Sequence, residues 1–173
     1  LVAEGHGPIL IERAAAVAGM VVSPLKVFDE VTLSLAAHGF EMREKYDGKA
    51  LDLPGVRLVR KMVEMGRLGK QSGAGFYDYD QKPRRLWSGL SELCEGTRAA
   101  SDPHTEMSEI QDRLMLAQVL EAIRCLDEGI LRSTADGEIG AIFGVGFAPN
   151  TGGPFAWCDR QGAAEVARRL DAL

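Results

Sequence analysis

The side chains in this sequence that could do chemistry are few. His6, His38 and His104 fall on loops or helix ends, without H-E-x-x-H or paired Cys/His spacing, so surface imidazoles and no metal site are expected. Cys94, Cys125 and Cys158 are far apart and odd in number, which leaves any disulfide scheme with an unpaired thiol. Buried reduced thiols, and with them a cytoplasmic location, are the expectation. No Ser/His/Asp or Cys/His set stands out, so no catalytic residue is expected in this chain.

Two glycine-rich loops test the case for a phosphate cradle. In Gly69–Gly75, GKQSGAG, Glu64 stands where a Walker loop needs its first glycine, and Lys70 is followed by Gln71 rather than Ser or Thr. In GVGFAPNTGG no strand precedes Gly144, and Pro149 takes the place of the last glycine of G-x-G-x-x-G. Both read as tight turns. Asp29 and Asp159 each lie five residues past a proline that opens a helix. With no visible acid–base partner, each carboxylate is expected to accept N–H groups from a neighbouring loop rather than act as a base.

The elements that must position these residues are helical. Pro8 opens a helix closed by Gly19, Ser23-Pro24 opens one ended by Gly39, and Pro54 opens one stopped by Gly66. The Ser23-Pro24 helix has Leu25, Phe28, Val31, Thr32 and Leu35 as its stripe, and residues 40–50 read as charged and turn-like after a short helical stretch. Phe76–Tyr79 is a short extended stretch. Residues 81–103 form a connector with a short helix in SGLSELCEG. The longest amphipathic run is 104–129, where Ser108 and Gln111 form a capping box and Gly129 is the stop. Its stripe is Ile110, Leu114, Ala117, Val119, Leu120, Ile123 and Leu126. A short helix over Glu138–Phe143 and a helix or helix pair from Pro154 to Leu173 complete the chain. The expected class is all-α.

The chain has 173 residues, 46% apolar and 26% charged, with a net charge of −5. That balance fits a globular protein and argues against a nucleic-acid surface. No apolar run approaches the roughly 20 residues of a membrane span. Two parts also look alike. AEG (3–5), a helix, AGMVVSP (18–24) and LKVFD (25–29) are matched by DEG (127–129), a helix, FGVGFAPNTGGP (143–154) and FAWCD (155–159). The first copy opens as though mid-helix, so a first repeat truncated at its N-terminus is expected over residues 1–80, then the connector over 81–103 and a second repeat over 104–173.

Residues 66–80, GRLGKQSGAGFYDYD, resemble the segment after the helical domain of L-3-hydroxyacyl-CoA dehydrogenases, where Gly-Lys-x-Ser/Thr-Gly-x-Gly-Phe-Tyr recurs. AGMVVSPLKVFDEVTL (18–33) is similar to that family's Gly-(Met/Phe)-Pro-(Met/Val)-Gly-Pro-x-x-x-x-Asp run. It departs at Val21, Ser23 and Thr32, which stand for a proline and two glycines. DGEIGAIFGVGFAPNTGGPFAWCDRQG (136–162) resembles the second C-terminal repeat of multifunctional fatty-acid β-oxidation proteins.

The resemblance implies two tandem helical repeats of the 6-phosphogluconate dehydrogenase C-terminal type. It implies a parent enzyme that oxidises (S)-3-hydroxyacyl-CoA to 3-ketoacyl-CoA with NAD and hydrates enoyl-CoA in another domain. The NAD site and the catalytic His–Glu pair would lie outside this chain, leaving it inactive alone. Pro24, Leu25 and Phe28 become candidates for the acyl-site wall, and Lys70, Ser72, Gly73, Gly75, Phe76 and Tyr77 for an interdomain seam. Acyl-CoA, further copies of the chain and a thiolase subunit are the implied partners. The competing reading is a non-catalytic helical docking or dimerisation module.

Overall fold

The computed structural model describes residues 1–80, 82–94 and 102–172 and is built mostly of helix, with one two-stranded ribbon among the described residues. The chain divides into two compact units. One takes in Leu1–Glu12 and the described residues within Ser23–Ser101; the other takes in Arg13–Val22 and those within Asp102–Leu173. Helix α1 (Pro8–Ala18) contributes to both. No helix among the described residues is long and apolar enough to cross a membrane.

The first unit opens with a 3-10 turn, Val2–Glu4, ended by Gly5 in the left-handed region. Helices α2 (Pro24–Val31), α3 (Leu33–Asp47) and α4 (Pro54–Glu64) follow. The expected single helix over 24–39 is therefore two, and residues 40–47 continue the second one. Thr32 makes the break at φ 75° and ψ 137°, from which the Leu33 N–H donates to the Leu68 carbonyl at 2.9 Å. Gly39 does not end α3, because a single exposed glycine weakens a helix by only about 1 kcal/mol; Gly48 does, at φ 65°.

Helix α4 buries Val56, Leu58, Val59 and Met62. They join Val2, Leu25, Leu33, Phe76 and Leu90 among the unit's buried residues. Each such side chain contributes about 1.5–3 kcal/mol on leaving water. After α4, β1 (Tyr77–Asp78) pairs antiparallel with β2 (Arg85–Leu86), and a 3-10 segment, Ser88–Leu93, buries Leu90 and Leu93. Residues 82–94 of the expected connector thus pack within this unit; residue 81 and residues 95–101 lie outside the described residues.

The second unit is organised on α5 (Pro103–Asp127). Its cap is Asp102, which accepts the Thr105 N–H at 3.0 Å, so the helix starts earlier than the Ser108 capping box implied. Its core-facing residues are Ile110, Met115, Leu116 and Val119, whereas Ala117 and Ile123 are exposed. The run MLAQVLEAI is apolar on several sides, so spacing alone did not settle which side is covered. Helices α6 (Thr134–Val145), α7 (Pro154–Gln161) and α8 (Ala163–Leu170) complete the unit. Met115, Leu116, Val119, Phe147, Ala148, Cys158 and Val166 form its core, with Ala18 and Trp157 packed on it.

Candidate functional site

The candidate site lies in the first unit, where α2 meets the loop after α4. Pro24 occupies the first turn of α2, but the preceding Ser23 gives no side-chain cap. Glu12, from α1, does so instead: its Oε1 accepts the Leu25 N–H at 2.9 Å, and its other oxygen accepts the Tyr77 hydroxyl. One carboxylate therefore ties α1, α2 and β1 together.

Asp29 is fully buried on the next turn of α2. Its carboxylate accepts the Phe76 N–H at 2.7 Å, the Tyr77 N–H at 2.9 Å and the Tyr79 hydroxyl at 3.0 Å. Burial pushes its pKa above the ordinary carboxylate value, opposed by those three donors and by Arg67. Both phenols are pushed up as well, chiefly by burial and then by the adjoining carboxylates, and so remain donors at neutral pH.

The loop's glycines let it close on α2. A Cβ at Gly75 would collide with the Asp29 carboxylate, and one at Gly69 would lie 2.6 Å from the Asp29 carbonyl oxygen. Arg67 braces the far side, donating to the Gly75 carbonyl at 2.8 Å and to Asp78 at 2.6 Å while stacking 4.1 Å above Trp87. Ser72 Oγ donates to the Gly69 carbonyl at 2.8 Å, closing the turn, and Gly73 sits at φ 80°.

The residues singled out from the sequence are placed as follows. Leu25 is buried, Pro24 is half-buried, and the half-buried Phe28 packs edge-on against Phe76 with ring centroids 5.8 Å apart. Lys70 and Ser72 are exposed, Gly73 and Tyr77 half-buried, Gly75 and Phe76 buried. Asp29 takes the loop's N–H groups as its position past Pro24 suggested, but Asp159 is exposed and makes no such bonds. His6 lies on a loop but is fully buried and has partners, against the surface expectation; His38 is exposed as expected but stands within α3, 3.7 Å from Glu41, and His104 is exposed.

Sequence reasoning missed Glu12, Arg67, Tyr79 and Thr32. A signal for Glu12 existed in the second unit, where α6 carries Glu138 in the corresponding place. It accepts the Phe155 N–H at 3.3 Å and the Ala156 N–H at 2.7 Å at the start of α7. Gly162, between α7 and α8, has φ 85° and ψ 125°, nearly the backbone angles of Thr32 between α2 and α3.

Chemically, this site holds and positions. Its carboxylates are committed to N–H and O–H donors, and the N–H groups of Phe76 and Tyr77 point at Asp29 rather than into a cradle for a diphosphate. The glycine loop therefore does not fit a dinucleotide. Among the described residues no cluster of metal-ligating side chains occurs.

Residues 1–79 match the family model of the 3-hydroxyacyl-CoA dehydrogenase C-terminal domain. The chain is 35% identical over 174 residues to a fatty acid oxidation complex subunit alpha from Shewanella amazonensis, covering 99% of this chain and 24% of that protein. It is 36% identical over 155 residues to the same subunit from Vibrio parahaemolyticus, covering 88% of this chain and 21% of the relative. It thus spans about a quarter of the length of these relatives. The dehydrogenase part of multifunctional enzyme 1 from C. elegans shares the fold at a TM-score of 0.55 and 19% identity, over 83% of this chain and 32% of that one.

Proposed function

Starting from a chain recognised as the helical C-terminal region of the 3-hydroxyacyl-CoA dehydrogenases of fatty-acid oxidation, we propose that it closes over acyl-CoA and makes subunit contacts in an NAD-dependent parent enzyme. The parent oxidises (S)-3-hydroxyacyl-CoA to 3-ketoacyl-CoA, and enoyl-CoA hydration belongs to another of its domains. NAD is bound outside this chain, so no step of hydride transfer runs through residues described here. Further copies of the chain and a thiolase subunit are its proposed partners, and the cytoplasm its proposed location.

The observation that carries this reading is the double clamp on α2. Glu12 fixes the start of the helix and Asp29 fixes the loop to its next turn. The clamps support reading Pro24, Leu25 and Phe28 as a rigid acyl wall, and Lys70, Ser72, Gly73, Gly75, Phe76 and Tyr77 as the seam toward the NAD-binding domain. Held wall residues contribute by orienting substrate, which is where positioning groups gain most. The test is a substitution in the complete enzyme: Phe28→Ala raises KM for long-chain 3-hydroxyacyl-CoA more than for the four-carbon substrate. Equal effects on both chain lengths would remove Phe28 from the acyl wall.

A further inference from the structure

Glu12 and Glu138 hold corresponding places in the two units, yet they use their oxygens differently. Glu138 gives both to the start of α7, accepting the Phe155 N–H at 3.3 Å and the Ala156 N–H at 2.7 Å. Glu12 gives one oxygen to the start of α2, at the Leu25 N–H, and turns the other to the Tyr77 hydroxyl. A plain helix cap in the second unit is thus, in the first, a link between a helix start and strand β1.

Two neighbours reinforce the link. Ser23 stands at the N-cap position of α2, but its hydroxyl caps nothing there and acts on the Tyr77 oxygen instead. Glycine occupies that place in the family run which this stretch resembles, and it has no hydroxyl to offer. Tyr79, its ring 6.3 Å from that of Tyr77, donates to Asp29 at 3.0 Å. The two phenols therefore hold α2 at successive turns, each through a carboxylate. Moving β1 against α2 breaks two charge-assisted hydrogen bonds, which are about twice as strong as neutral ones.

We propose that Glu12 is a positioning residue that couples the seam to the acyl wall. The Tyr77 hydroxyl sets the Glu12 carboxylate, and the carboxylate sets the first turn of α2. Leu25 and Phe28 are then placed for a long acyl chain only while that link is intact. The inference rests on the reading of α2 as the acyl wall and adds the group that fixes the wall's position. Glu12 acts through α2 rather than on the substrate, so its loss is felt by acyl chains long enough to reach the wall. Glutamine keeps the link: its amide oxygen accepts the Leu25 N–H, and its amide nitrogen donates to the Tyr77 oxygen.

The experiment is steady-state kinetics of the complete enzyme with four-carbon and long-chain 3-hydroxyacyl-CoA. Tyr77→Phe removes one hydroxyl and Glu12→Ala the carboxylate. Each is expected to raise KM for the long chain by about tenfold, and to leave kcat for the four-carbon substrate within about twofold, since a positioning group acts on orientation. Glu12→Gln is expected to restore the wild-type profile. Glu138→Ala is the control for stability alone: it loses the equivalent cap, lowers Tm, and leaves the kinetics with both substrates unchanged. Should Glu12→Ala fail to fold, Tyr77→Phe, which keeps the ring, decides the matter. A wild-type chain-length profile in Tyr77→Phe, no restoration by Glu12→Gln, or the same shift in Glu138→Ala overturns the proposal. If Phe28→Ala changes the profile and Tyr77→Phe does not, the acyl wall stands and the coupling falls. If neither changes it, wall and coupling fall together.

Discussion

Replacing Thr32 with glycine should stabilise the protein, although it removes a hydrogen bond and adds a flexible residue. Thr32 is the one non-glycine residue with positive φ among those described, at 75° with ψ 137°. A β-branched side chain there is held against its own backbone, at about 1–3 kcal/mol. Against that relief stand two losses. The Thr32 hydroxyl accepts the Leu35 N–H at 3.3 Å in an exposed position, and exchanging such a cap for glycine costs only a few tenths of a kcal/mol. Glycine also loses about 0.5–1 kcal/mol more backbone entropy on folding.

The balance favours the variant by about 1 kcal/mol, or about 2–4 °C in Tm for a chain of this size. Thr32→Ala keeps the strain and loses the cap, so it should destabilise by about 1 kcal/mol. Thermal and urea unfolding followed by circular dichroism separates the two. A Thr32→Gly variant as destabilised as Thr32→Ala would refute the strain argument. Gly162 offers the converse: a Cβ there meets open space, so Gly162→Ala should be destabilised by its backbone angle alone, about 1 kcal/mol or more.

Three further outcomes follow from the clamps. Asp29→Leu leaves the Phe76 and Tyr77 N–H groups and the Tyr79 hydroxyl without their acceptor, and urea unfolding should show a loss of about 3–5 kcal/mol. Because burial raises the Asp29 pKa above its unfolded value, the stability from this group is full below the unfolded value and falls as pH rises through the folded one. The advantage of the wild type over Asp29→Asn should therefore shrink from about pH 4 upward, and an advantage that grows instead would contradict the sign. Glu138→Ala uncaps α7 and should cost about 1–2 kcal/mol with faster amide exchange at Phe155 and Ala156, whereas the exposed Asp159→Ala should be nearly neutral.

Helix starts were legible at Pro8, Pro24, Pro54 and Pro154, because the missing N–H of a first-turn proline costs nothing there. Helix ends were less so. Gly39 was read as a stop, though its side faces open space and α3 runs through it, while the actual break at Thr32 bears no glycine. The Asp102-Pro103 start of α5 carries its own signal, an acidic cap three residues before Thr105, which the Ser108 pattern obscured. At the site, Asp29 was legible from its distance past Pro24. Its donors come from 47 to 50 residues away, and the Glu12–Tyr77 bond spans 65, separations that no local pattern encodes.

In the proposed function this chain completes a 3-hydroxyacyl-CoA oxidation site whose NAD-binding part lies outside it. The most direct test compares NADH formation from (S)-3-hydroxybutyryl-CoA by the complete reading frame, by the same protein lacking these 173 residues, and by this chain alone. The account expects turnover only from the complete protein. NADH formation by the chain alone, or undiminished turnover after its removal, would contradict it.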